Sequence, residues 1–225
     1  VSPNSGDVGY YPGITISVTN DGLPKATDNE TIAIAVIEED IIYRINAGGL
    51  PQPGLPIWAS DADSDPSPRG NAAAAQSVVF TTNLEVDTAD GSIPSQTRDQ
   101  VFQSARVDAG AGDEMQWDLP VTPGDYLVRL YFAEIDPLIQ SSGSRTFNVD
   151  IEGSQLLTGY DVFGDVGGSA GVVKSFLVSS DSNLDIDFAR VTGDPLVSGI
   201  EVIAADSPGQ LQVLTGNVAF GDALV

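Results

Sequence analysis

The run Ser60-Asp61-Ala62-Asp63-Ser64-Asp65 sets a carboxylate at every second position, a spacing that can turn three hard oxygen ligands toward one calcium ion. It fails the EF-hand pattern, because Pro66 stands where the sharp turn needs glycine and Ala72 where the loop needs its bidentate glutamate. Asp61, Asp63 and Asp65 therefore leave two readings open, a calcium site of another kind or a solvated acidic loop. Glu38-Glu39-Asp40 is a further acidic stretch that could help hold calcium at a seam between modules. Glu134 and Asp136 share strand parity and could form the carboxylate pair of a glycosidase. Other catalytic chemistry is sharply restricted. Cys and His are both absent, which removes thiol nucleophiles, imidazole bases and His or Cys metal sites together.

Those carboxylates belong to a strongly anionic chain. Its 32 acidic and 9 basic residues give a formal net charge of −23 over 225 residues. The acids are mostly Asp, and Lys25 and Lys174 are its two lysines. Nucleic acid and anionic membrane surfaces are disfavoured as partners by such a field. An Asp-rich, Lys-poor surface suits solubility in general and a halophilic, high-salt exterior in particular, where screening shortens the repulsion. The sequence contains no run of 18 apolar residues, so no membrane-inserted helix is expected. With 41% apolar residues the chain can bury a substantial core.

Strands must position these groups. Short β-branched runs separated by Gly, Pro, Asn and Asp dominate, and the one helical candidate, Asn71 to Gln76, is a short alanine-rich stretch. Ile14 to Thr19 and Thr31 to Val36 alternate apolar and polar around Asn20-Asp21-Gly22-Leu23-Pro24, the signature of a hairpin with a long connection. In Tyr126 to Phe132 the even positions share one face and Leu127, Arg129 and Tyr131 the other. Leu184, Ile186 and Phe188 likewise oppose Asp185 and Asp187. Half-buried alternation of this kind builds antiparallel sheets packed as a sandwich.

The ordered segments Tyr43-Arg44-Ile45-Asn46-Ala47-Gly48-Gly49, Tyr126 to Glu134, Arg145 to Gly153, Tyr160-Asp161-Val162-Phe163, Leu184 to Phe188 and Gly199 to Ile203 together resemble the malectin family of carbohydrate-binding domains. The resemblance implies an all-β, jelly-roll (galactose-binding-like) β-sandwich over residues 41–204. Residues 1–40 resemble the closing strands of a cadherin-like or immunoglobulin-like module, and residues 205–225 a linker and the opening strand of a following one. A noncatalytic sugar-binding or adhesion module of a multidomain secreted or cell-surface protein is what this implies, with glycan or polysaccharide and neighbouring β modules as partners. No enzyme is expected, because Glu134 falls in the Phe-Ala-Glu signature of a noncatalytic family, and no cofactor beyond optional calcium is implied.

Carried onto this chain, the binding loops point to Trp58, Arg106, Asp108, Asp136 and Asp194. Two alternatives accompany them: Trp58 as a core plug beneath the loops, and Arg106 as the partner of a loop acid. Trp117, between Met115 and Leu119 at strand parity, is expected in the core. The chain departs from the animal protein's pattern where Ile135-Asp136-Pro137 replaces an aromatic pair and Val107 follows Arg106. A spacer or subunit of a surface filament, S-layer or adhesin is therefore the rival reading, including self-association through the terminal strands by strand addition. If the Asp bias reflects a high-salt exterior, the melting temperature should climb steadily from low to molar KCl; a flat profile would remove that inference.

Overall fold

The computed structural model describes residues 9–19, 27–36, 40–71, 77–110, 114–205 and 212–213. It divides into two units, Val1–Asp40 with Ser207–Val225, and Ile41–Asp206. In the smaller, β1 (Gly9–Thr19) and β2 (Thr27–Val36) form an antiparallel hairpin whose register shifts between Tyr11 and Ile14. Strand β15 (Gln212–Val213) adds antiparallel to β2 at Ala35 and Ile34. Gln212 and Val213, expected in the opening strand of a following module, thus pair with the N-terminal hairpin of their own chain. Residues 72–76 of the expected helix lie outside the described residues.

The larger unit has two principal sheets. One runs β11 (Gly171–Ser180), β8 (Gly124–Ala133), β14 (Gly199–Ala204), β3 (Ile41–Ala47), β4 (Ala59–Asp61), antiparallel except for the β3–β4 pair. The other runs β10 (Ser154–Tyr160), β9 (Thr146–Ile151), β12 (Asn183–Thr192), β7 (Met115–Pro120), all antiparallel. A third, smaller sheet orders β13 (Leu196–Val197), β6 (Ser104–Asp108), β5 (Ser77–Thr81). Connections include a five-residue helix α1 (Val162–Val166) and a 3-10 turn at Asp99–Gln103.

Alternation decides what fills the space between the principal sheets. Tyr126, Val128, Leu130 and Phe132 of β8 are buried together, as are Phe147, Val149 and Ile151 of β9, Leu184, Ile186 and Phe188 of β12, and Met115, Trp117 and Leu119 of β7. Phe132 meets Phe147 across the layers with ring centroids 5.9 Å apart, and Phe147 continues to Phe188 at 6.3 Å.

The other face of β8 is not solvated throughout. Tyr131 is fully buried against the edge of Trp58 (5.0 Å) and the ring of Phe102 (5.8 Å), so segments distant in sequence cover the five-stranded sheet there. Beside them lies Glu201 of β14, fully buried, which accepts from Arg44 Nε (2.6 Å), Arg129 Nη1 (2.9 Å) and the Tyr131 hydroxyl (2.9 Å). Strand register makes this possible, because Arg44 on β3 and Arg129 on β8 both stand directly opposite Glu201. Burial, and then the Glu201 charge, push the Tyr131 hydroxyl well above its ordinary pKa and keep it a donor.

The outer face of the four-stranded sheet is built on the opposite electrostatic plan. Asp185 on β12 stands opposite Asp118 on β7, and Asp187 opposite Asp150 on β9. Like charges so placed repel. Desolvation, then sharing with Asp118 and the charge of Glu152, raise the Asp185 carboxyl above the usual range; desolvation first, with Asp150 and Asp118, does the same for Asp187. The folded state therefore holds these protons more tightly than the unfolded chain, so stability should rise as pH falls from their folded-state values toward ordinary carboxylate values. Asp161 runs the other way. Hydrogen bonds from Ser142, Gly164 and Gly143 outweigh its desolvation and lower its pKa, so stability is lost once pH falls below the ordinary Asp value through its own. Thermal unfolding across pH 3–8 should accordingly peak on the mildly acidic side, and Asp185→Asn should flatten the rise from neutrality.

Candidate functional site: a cross-linked loop end

Three of the expected residues are drawn together by two arginines. Strand β6 delivers Asp108, the segment after β8 carries Glu134 and Asp136, and the turn at Gly193 places Asp194 just before β13, which pairs with β6. Gly193 has φ +65°, and a Cβ there would lie 2.9 Å from the Ser144 carbonyl oxygen, so the turn requires glycine. Arg145, entering β9, pairs through Nε with Glu134 Oε2 (2.7 Å) and through Nη2 with Asp136 Oδ2 (3.5 Å), while Nη1 donates to the Asp194 carbonyl. Arg190 of β12 reaches Asp194 Oδ1 (3.2 Å) and Asp108 Oδ1 (3.6 Å) and donates to the Asp108 carbonyl (2.9 Å). The planar fork of each guanidinium lets one side chain tie several loops at once.

Exposure separates the structural members from the accessible ones. Arg145 and Glu134 are buried, whereas the Asp194, Arg190 and Asp136 side chains keep 40%, 27% and 20% of their surface. Glu134 is raised above the usual glutamate range by desolvation, against the opposing pull of Arg145. Glu114 is raised likewise by desolvation and by its hydrogen bond and charge interaction with Asp108. Neither member of the Glu134–Asp136 pair stands free as an acid or a nucleophile, since Arg145 engages both.

Trp58 and Arg106 lie in different surroundings. Trp58 is 1% exposed, packed edge-on to Tyr131 with the Arg44 guanidinium 5.4 Å from its ring centroid. Its indole is core, and the stacking-platform reading is corrected on that ground. Arg106 is equally buried and spends its donors on Asp61 Oδ2 (3.0 Å), the Asp61 carbonyl and Asp63 Oδ1 (3.2 Å). Asp61, itself fully buried, also accepts from the backbone N–H groups of Gly48 (2.9 Å) and Ser67 (2.8 Å). The cation held by Asp61 and Asp63 is thus a guanidinium. Asp65 remains exposed, its backbone N–H donating to Ala62. Among the described residues no group of three or more His, Cys, Asp or Glu side chains is disposed to hold a metal.

Sequence reasoning missed Arg145 and Arg190. Their signal was indirect: in a chain with few cations, an arginine at a strand end beside acid-bearing loops is apt to be their cross-link.

Two packed, mainly antiparallel sheets with a loop end cross-linked by arginines define a β-sandwich module. The chain belongs to the malectin domain family, which matches residues 41–208. It is 24% identical over 233 residues to a probable receptor-like protein kinase of Arabidopsis thaliana, spanning 93% of this chain and 27% of that protein. The fold is similar to that of the ANX2 ectodomain from Arabidopsis thaliana, with TM-score 0.63 and 18% identity over 82% of this chain and 52% of that one. It is similar also to a chain of the complex of plant peptide RALF23 with FER and LLG2, with TM-score 0.63 and 19% identity over 87% of this chain and 53% of that one. The chain thus spans about half of these solved structures and a smaller part of the curated relative.

Removing the buried counter-ion gives the sharpest test of the site's architecture. Asp61→Ala should destabilise the domain by about 3–5 kcal/mol in urea unfolding, because Arg106 would stay buried without its carboxylate. Asp61→Ala combined with Arg106→Met should recover part of that loss.

Proposed function

We propose that this chain is a noncatalytic recognition module of a secreted or cell-surface protein, binding a hydroxyl-rich ligand such as a glycan or polysaccharide through its loop end. The observation that carries the reading is the convergence of Asp136, Asp194 and Arg190, partly exposed, on a frame fixed by buried Arg145 and Glu134. Planar carboxylate and guanidinium groups meet vicinal hydroxyls in pairs, and a frame already locked by ion pairs spares the ligand the entropy of ordering it. Family membership over residues 41–208 supports the same reading. The likeness to receptor ectodomains supports an extracellular setting. Strands β1, β2 and β15, which form one sheet, belong in this reading to an immunoglobulin-like module of the same protein.

A spacer role is favoured by one specific observation: Trp58 is in the core and Val107 is buried, so neither gives the loop end an aromatic face for a sugar ring. A glycan array separates the two. The recognition reading expects a selective signal that Asp194→Asn weakens at least tenfold with the melting temperature unchanged; a blank array across neutral and acidic glycans would leave the spacer.

A further inference from the structure

A second surface, sharing no residue with the loop end, has a different chemistry. Ile42, Tyr43, Pro56, Ile57, Pro68 and Arg69 line an open groove of about 240 Å³ beside β3. Ile57 is 62% exposed and Ile42 40%, and the neighbouring Leu55 is 92% exposed. Apolar side chains so exposed in one place mark a contact surface more often than a solvated one.

The groove also holds an unusual cation. Arg44, Arg106, Arg129, Arg145, Lys174 and Arg190 each form an ion pair with a carboxylate. Arg69 forms none among the described residues, in a chain of net charge −23, and its guanidinium instead lies 5.8 Å from the Tyr43 ring centroid. Both partners are held in place. The Tyr43 hydroxyl donates to the Pro120 carbonyl (2.6 Å), and the Arg69 backbone is fixed by Ser67 Oγ (3.2 Å) and by the Asp118 N–H (2.7 Å). Arg98 also forms no ion pair among the described residues, but it lies exposed ahead of the 3-10 turn and lines no part of this groove.

We propose that this groove docks an extended peptide segment of another protein in which an apolar side chain and a carboxylate stand two residues apart. That spacing puts both on one face of an extended chain. The apolar side chain would fill the Ile42–Ile57–Pro56 floor while the carboxylate takes the fork of Arg69. An acidic sugar fits less well, because ring hydroxyls facing isoleucine and proline would lose water without gaining partners. A groove of this size accommodates a side chain or two of an extended segment.

The probe is a capped hexapeptide Ser-Ile-Ser-Asp-Ser-Ser, which holds isoleucine and aspartate two residues apart, with Ser-Ile-Ser-Lys-Ser-Ser and Ser-Ser-Ser-Asp-Ser-Ser as controls, titrated into the full chain carrying 13C-labelled isoleucine methyls. The Ile42 and Ile57 methyl signals should shift with the isoleucine–aspartate peptide and with neither control, and R69Q should weaken that binding at least fivefold. R69Q changes a partly exposed side chain, and an unchanged melting temperature verifies its fold. Absence of methyl shifts, equal response to the lysine peptide, indifference to R69Q, or displacement of the peptide by an oligo-uronate that itself shifts both methyls would each overturn the assignment.

Discussion

The larger unit depends on one buried carboxylate. Asp61 closes β4, binds the backbone N–H groups of Gly48 and Ser67, and meets Arg106 from β6, so a single side chain joins the five-stranded sheet, the acidic loop and the third sheet. Two charges taken out of water are tolerable when their polar atoms find partners, and here each nitrogen of the Arg106 guanidinium and each oxygen of the Asp61 carboxylate has one. The turn at Gly48 belongs to the same arrangement. Its φ is +69°, and a Cβ would lie 2.4 Å from the Ala105 carbonyl oxygen, so the backbone reaches Asp61 by passing directly over β6.

The same economy recurs around Glu201 and at the loop end. Glu201 gathers Arg44, Arg129 and Tyr131 across three adjacent strands, and Arg145 and Arg190 bind loops that would otherwise repel. Arg44, Arg145 and Arg190 each serve several acceptors, in a chain whose acids outnumber its bases 32 to 9. Lysine, with a point charge and no fixed fork, would serve poorly in these positions. The charge imbalance that looks like a surface property is therefore also a rule about which cations the interior uses.

Local periodicity explains what was legible in the sequence. Faces of β7, β8 and β12 followed from alternation, because each is buried by residues of like pattern on the opposing sheet. Tyr131 did not, since its cover comes from Trp58 and Phe102, far away in sequence. Asp108, Asp136 and Asp194 were read as one loop end, and the structure connects them, but through Arg145 and Arg190, whose partners lie dozens of residues off in part. The alternating acids Asp61, Asp63 and Asp65 were ambiguous for a physical reason: calcium and guanidinium call for the same oxygens, and nothing local says which cation will arrive. Trp58 was ambiguous in the same way, since an indole beneath a loop and one upon it occupy the same place in a sequence.

The paired carboxylates outside the four-stranded sheet bear on how such modules live beside one another. Asp118, Asp185, Asp187 and Asp150 form a patch in which cross-strand neighbours share their charge and do not cancel it. Two such faces brought within a Debye length, about 8 Å in physiological salt, would confront each other with uncompensated fields. A flat β surface ordinarily invites stacking and aggregation, and this one enforces spacing. In a crowded array the four-stranded sheet would turn outward, and close neighbours would have to approach by another side.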